Sequence, residues 1–234
     1  MNERDEERWR GFRAGIPPAL GVFTYGVVLG VLAAGKGIGP AELAAMNALI
    51  FSGSAQFVLI GLWSGALPFW QMALAATAVN LRYPLLTASI APLLAPLAPL
   101  SRALRIHLLA DENWAVSLAA WRRGEGGADH LLGSSLCVFL SWMAGTLAGA
   151  LFGAFLGDLR TYGLDFAFTA VFTALTVSFW RGRGDLLPWG VAAAVSLLVS
   201  RLLPGTGCVL VGGLAGALSA SLGGNGAERK GAGR

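Results

Sequence analysis

Charge is scarce in this chain. Only 13% of its 234 residues are Asp, Glu, Lys or Arg, about half the ~25% of an ordinary soluble domain. The deficit is also uneven. Eight charged residues crowd into residues 1–13, yet only Lys36, Glu42 and Arg82 lie between Ala14 and Ser101. A stretch of that length with three charges cannot be the surface of a water-soluble globule. Soluble enzymes, nucleic-acid-binding domains and disordered chains are excluded together. Cysteine and histidine are rarer still. Cys137 and Cys208 sit in apolar runs without CxxC spacing, which argues against a disulfide framework or zinc site and for two small buried hydrophobes. His107 and His130 are the only histidines, so a metal centre or a Ser–His intramembrane enzyme has little material. No P-loop, GxGxxG, HExxH or GxSxG pattern occurs. No cofactor is expected, and no soluble segment is large enough to bind ATP. Active transport by this chain would therefore need an ion gradient.

Apolar length is what the chain has instead. Hydrophobic residues make up 55% of it. Runs long enough for a membrane helix, about 20 residues, fall near 14–35, 41–66, 69–98, 130–157, 163–180, 186–203 and 205–222, with a shorter one at 104–121. Gly, Pro or charge separates them, as in Gly35-Lys36-Gly37 and Arg122-Arg123-Gly124. The runs are too long for barrel strands and lack their alternation. The first run also exceeds the h-region of a signal peptide. The expected fold is an all-α polytopic transmembrane bundle of about six to eight spans, with one or two broken or re-entrant segments. The expected domains are a cytoplasmic head at 1–13, one transmembrane domain at 14–222 and a flexible cytoplasmic tail at 223–234.

Lys and Arg orient the bundle. With the N-terminus inside, an eight-span arrangement places Arg122, Arg123, Arg181, Arg183, Arg229, Lys230 and Arg234 inside. Only Arg102 and Arg105 violate the rule. If 41–66 and 104–121 are both re-entrant, six spans remain and that pair also falls inside. A seven-span arrangement would put the basic C-terminus outside. A faint internal echo accompanies this pattern: Pro68 to Pro84 and Pro188 to Pro204 are equally spaced, each with an arginine before the second proline. Transporters often carry such repeats.

Polar groups inside a bilayer are costly, so each needs a reason. The densest cluster is Phe51-Ser52-Gly53-Ser54-Ala55-Gln56-Phe57. A helix broken there would free backbone N–H and C=O groups to bind a carboxylate or an ammonium. Packing through small residues is the competing reading. In Asn80-Leu81-Arg82-Tyr83-Pro84 the arginine is either a snorkelling interfacial group or a fixed cation for a substrate carboxylate. Pro84 biases Tyr83 away from helical angles, so the helix is expected to end or kink here. Ala110-Asp111-Glu112-Asn113-Trp114 holds adjacent acids, read either as N-terminal capping or as a proton carrier or ammonium partner. His107, one turn before Asp111, is an ordinary interfacial group or a proton relay. Gly145, Gly149, Gly153 and Gly157 make a flat stripe beside Trp142 and Thr146, repeated in Gly26/Gly30 and Gly212/Gly216, and point to close helix packing. Glu42 and Asp165 read as caps.

Taken in order, the Phe51–Phe57 stretch, Asn80-Leu81-Arg82, Ala110-Asp111-Glu112 and the helix from Gly133-Ser134-Ser135 through Trp142 to Gly145-Thr146 resemble the AzlC family. Those proteins are the large subunits of two-component branched-chain amino acid exporters. The resemblance runs from about Arg13 to about Leu222. It implies export of leucine, isoleucine and valine, with methionine as an extended case, across the bacterial inner membrane. It also implies coupling to the proton motive force and a small AzlD-type membrane partner. The residues are compatible with a zwitterion. Ser52, Gly53, Ser54, Gln56, Phe57, Asn80 and Arg82 are the candidate substrate contacts, with Phe51 and Trp180 as further apolar lining. Asp111 or Glu112 would meet the ammonium or carry the proton. Other amino acids or amines as substrates remain open, as does a non-transporting membrane scaffold.

Overall fold

The structure is a computed structural model, and it describes residues 2–65, 67–156, 173, 177, 180, 182–201, 208 and 211–221. Every long element among these residues is helical, and no strand occurs among them. The helices are α1 (Glu3–Gly35), α2 (Pro40–Leu49), α3 (Gly53–Gly61), α4 (Phe69–Asn80), α5 (Tyr83–Ser89), α6 (Ala91–Leu94), α7 (Pro99–His107), α8 (Asp111–Arg122), α9 (Ala128–Leu156), α10 (Leu186–Ser200) and α11 (Val211–Ser221). Two of them, α1 and α9, are long and apolar enough to cross a membrane. Gly157, Asp165 and the tail at 223–234 lie outside the described residues, as does most of the 163–180 run. The chain divides into two compact units. One comprises 1–64 and 79–168, the other 65–78 and 169–234.

The first unit is organised by α1 and α9. Helix α1 starts eleven residues before its apolar run, so the charged head is part of the helix. Asn2 caps it, accepting a hydrogen bond from the Asp5 N–H at 3.0 Å, and Glu3, Asp5 and Glu6 in the first turn suit the positive end of the helix dipole. Pro17 and Pro18 remove two backbone donors without ending the helix, as neighbours allow in membrane helices. Helix α9 packs along the length of α1. A Cβ added at Gly11 would strike the His130 backbone, one at Gly30 would lie 2.6 Å from Ala150 N, and one at Gly153 would lie 2.8 Å from Ala34 Cβ. Gly133, Gly145 and Gly149 likewise face the backbones of Arg8, Phe23 and Val27. The stripe seen in the sequence is therefore a seam with α1, where glycine is needed because the backbones leave no room for a side chain.

Contacts advance together along both helices, from Gly11–His130 to Val31–Gly153, so the two run parallel. Their partners lie 120 to 122 positions apart, as in Glu7–Gly127, Arg8–Asp129 and Ser141–Ala19. Pro68 and Pro188 are separated by the same spacing. Parallel spanning helices begin on the same side of the membrane.

Polar locks secure one end of the seam. Glu7 Oε1 accepts from the backbone N–H of Gly127 and from that of His130 at 3.3 Å, capping α9 from a different helix. Asp129 is shared by Arg8 (2.9 Å) and the buried Arg105 (3.0 Å). Beside it, Ile90, Leu93, Leu94, Leu109, Leu118 and Leu131 form a core joining α6, α8 and α9. In the second unit, Gly212 and Gly216 of α11 lie against Ala192 and Pro188 of α10. Many large apolar side chains elsewhere are exposed, such as Phe155 at 89% and Leu100 at 83%, as expected of surfaces that meet lipid.

Two predictions follow from the seam. Gly149→Val should lower stability in detergent by about 1–3 kcal/mol through overpacking, measured by thermal unfolding. Gly21→Ala, where nothing lies within 4 Å, should leave the melting temperature within error. Single cysteines placed by Arg4→Cys and Arg123→Cys in a background lacking Cys137 and Cys208 should be labelled by an impermeant maleimide from the same side of the membrane.

Candidate functional site

The 41–66 run is broken at Ile50–Ser52. Ile50 (φ −128°, ψ 77°) and Ser52 (φ −151°, ψ 101°) are extended and separate α2 from α3. The break falls where β-branched Ile50 is followed by Ser52 and Gly53, the residue types that prefer a helix start to a helix interior. The carbonyls it frees find side-chain donors. Gln56 Nε2 donates to Ile50 O at 2.6 Å and to Met46 O at 3.4 Å. His107 Nε2 donates to Ala48 O at 2.8 Å, which requires the proton on that nitrogen. His107 thus serves the end of α2, a use that its sequence position near Asp111 did not suggest.

Gln56 is fully buried, and its Oε1 accepts from Trp142 Nε1 at 3.0 Å. The same indole N–H is shared with Asn47 Oδ1 at 3.1 Å, and Asn47 Nδ2 donates to Thr146 Oγ1 at 2.7 Å. The Trp142 ring lies against Gly53, whose absent Cβ would sit 3.0 Å from it. A network of Asn47, Gln56, Trp142 and Thr146 therefore holds the break against α9. Asn47 was not singled out from sequence. Its one signal was an amide within an apolar helix, where a polar group needs a partner.

Ser54 lies two residues from Gln56, about 200° around the helix, and so faces the other way. Its Oγ accepts from Arg82 Nη2 at 2.8 Å. Ser52 Oγ donates to Asn80 Oδ1 at 2.7 Å, which leaves the N-terminus of α3 without a side-chain cap. Arg82 sits between α4 and α5 with helical angles, and Tyr83 opens α5. The interruption thus falls at Leu81–Arg82, one residue earlier than the proline rule suggests, because Pro84 occupies the first turn of the new helix, where it is tolerated. The guanidinium is over the Tyr83 ring, 5.5 Å from its centroid.

Arg82 Nη2 is also 3.1 Å from Asp111 Oδ2. Asp111 is the first residue of α8 and Glu112 the second. The turn that places them is pinned by buried Asn113, whose Oδ1 accepts from Ala110 N at 3.0 Å and whose Nδ2 donates to Leu108 O at 2.7 Å. The ion pair remains reachable, with side-chain exposures of 28% for Arg82 and 36% for Asp111. Arg82 Nε is buried without a hydrogen-bond partner. One cation therefore stands at the uncapped N-terminus of α3, beside two acids at the N-terminus of α8. Of the candidate contacts, the structure joins Ser54, Arg82 and Asp111 directly and Ser52 to Asn80. Phe57 is in the core at 2% exposure. Phe51 is edge-on to Phe139, while Trp180 lies in the second unit, edge-on to Trp189. Among the described residues no group of three His, Cys, Asp or Glu side chains is placed to hold a metal.

Residues 17–156, which include all of this site, match the AzlC protein family. The chain belongs to the AzlC family. An uncharacterized membrane protein of Helicobacter pylori is 28% identical over 192 residues, 76% of this chain and 79% of its own. The branched-chain amino acid transport protein AzlC of Bacillus subtilis is 25% identical over 187 residues, 77% of this chain and 72% of its own. No solved structure matches the chain. AzlC membership gives the protein a membrane transport role, in a family associated with transport rather than enzymatic activity.

The geometry separates a structural network from a reachable ion pair, and the two should respond differently to substitution. Trp142→Phe leaves the carbonyls of Asn47 and Gln56 short of a donor and should cost about 1–3 kcal/mol in detergent unfolding. Asp111→Asn, in a partly exposed pair, should change stability by about 1 kcal/mol or less.

Proposed function

We propose that this protein is the large subunit of a two-component exporter of branched-chain amino acids, driven by the proton motive force. The observation that carries this reading is the bridge from Arg82 to Ser54 on one side and Asp111 on the other. A zwitterionic amino acid needs an anion contact and a cation contact a few ångströms apart. The partly exposed Arg82 guanidinium and the start of α3, which has no side-chain cap, supply the first. Asp111 and Glu112 supply the second. In the resting arrangement Asp111 occupies Arg82, so a substrate carboxylate takes over the guanidinium while the ammonium turns to the released acid. A proton taken up by Asp111 releases Arg82 in the same way, which couples the two events at one residue. The Bacillus subtilis relative's name supports the substrate class, and the family supports a small AzlD-type partner. An N-terminus on the cytoplasmic side of the inner membrane follows from the distribution of Lys and Arg. A scaffold built on exposed glycine stripes is less well supported, because Gly26, Gly30, Gly145, Gly149 and Gly153 already pack within the chain.

Efflux measures this directly. Cells loaded with a leucine-containing dipeptide should release leucine only when this chain and its small partner are both present, and an uncoupler should abolish the release. Arg82→Gln should reduce efflux about 10- to 100-fold, the loss expected for one charge-assisted hydrogen bond or more. Asp111→Asn should reduce it comparably while both variants remain in the membrane at wild-type levels. Full efflux from both variants would overturn the site. Release of another amino acid or an amine, with none of leucine, would overturn the substrate.

A further inference from the structure

A second charged feature lies apart from Arg82, where the N-terminal part of α1 meets the end of α8 and the start of α9. A cavity of ≈ 330 Å³ there is lined by Arg10, Arg123, Glu125 and His130, together with Ala14, Val116 and Ala120. The order of these residues along their helices is informative. Ala14 is one turn further into α1 than Arg10. Ala120 and Val116 lie one and two turns further into α8 than Arg123. Both helices thus present charge at the end of the cavity near the helix termini and small apolar groups deeper in.

The local acids are already engaged. Glu125 pairs with Arg123 at 2.6 Å. Glu7 caps the start of α9, and Asp129 is shared by Arg8 and Arg105. Arg10 has no ion-pair partner among the described residues. His130 is 95% buried, at 5% exposure, and its Nδ1 has no hydrogen-bond partner. One positive charge is left unmatched on a cavity with an apolar inner end, beside the buried His130 ring. Basic pockets between membrane helices are suited to lipid headgroups. A free anion would use only the polar end, whereas a phospholipid uses both.

We propose that this cavity binds an anionic phospholipid carrying one phosphodiester. Arg10 takes the phosphate, the His130 ring walls the polar end, and Ala14, Val116 and Ala120 take the glycerol and the first methylenes. The site is independent of the transport reading, since among the described residues none of its members shares a hydrogen bond or ion pair with Arg82 or Asp111. Native mass spectrometry of the purified full chain with added phosphatidylglycerol or phosphatidylcholine tests it. Phosphatidylglycerol should be retained in preference, and Arg10→Gln should lower its retention roughly tenfold. Val116→Trp, which fills the inner end, should lower it without changing any charge, and it serves as the second readout should the arginine variant fold poorly. Millimolar inorganic phosphate or glycerol phosphate should not displace the lipid. Equal retention of the two lipids, or unchanged retention in both variants, would overturn the proposal. Displacement by inorganic phosphate would reassign the cavity to a soluble anion.

Discussion

The close approach of α1 and α9 is the constraint on which the first unit depends. Two backbones in van der Waals contact over about six helical turns leave no room for side chains between them, so glycine occupies both faces. That seam fixes the rotation of α9. The rotation in turn aims Trp142 and Thr146 at Asn47 and Gln56, and those two amides hold the break between α2 and α3. With the break held, Ser54 meets Arg82. A change at a seam glycine therefore reaches the ion pair through a series of named contacts, although no glycine touches Arg82.

The break is a polar interruption in an apolar environment, and each exposed backbone group there carries a cost of several kcal/mol in a bilayer. Side chains offset that cost unevenly. Gln56 and His107 satisfy carbonyls at the end of α2, while the start of α3 receives no side-chain acceptor. The asymmetry has an electrostatic result. The N-terminal end of α3 keeps its partial positive charge next to Arg82, and the N-terminal end of α8 is matched by Asp111 and Glu112. Opposite charges thus meet in the Arg82–Asp111 ion pair.

Much of this was legible along the chain. Scarce charge and long apolar runs specify a helical membrane protein because transfer free energy is additive over a segment. The glycine stripe was readable because helical periodicity puts every fourth residue on one face. The Ser52–Gln56 cluster marked the break, since polar groups in an apolar run need partners. The roles within the cluster were not readable. Ser54 and Gln56 read as one group in sequence, but the helix turns them to opposite sides, so one meets Arg82 and the other meets Trp142. The roles of Asn47 and Asn113 were not readable because a single amide states no partner.

Composition, run length and local periodicity are properties of single segments, and they determined on their own that the chain is an α-helical membrane protein, that the 41–66 run is interrupted at its polar cluster and which face of α9 is flat. The break between α5 and α6 in the 69–98 run and the one between His107 and Asp111 in the 104–121 run were set by tertiary packing. Tertiary structure alone decided that α1 and α9 run parallel, that Asp129 is shared by Arg8 and Arg105, and that Arg82 chooses Asp111. Those outcomes join residues 24 to 122 positions apart. A hydrogen bond or ion pair depends on distance and direction at the ångström scale, and neither is set until the helices that carry its two ends have packed.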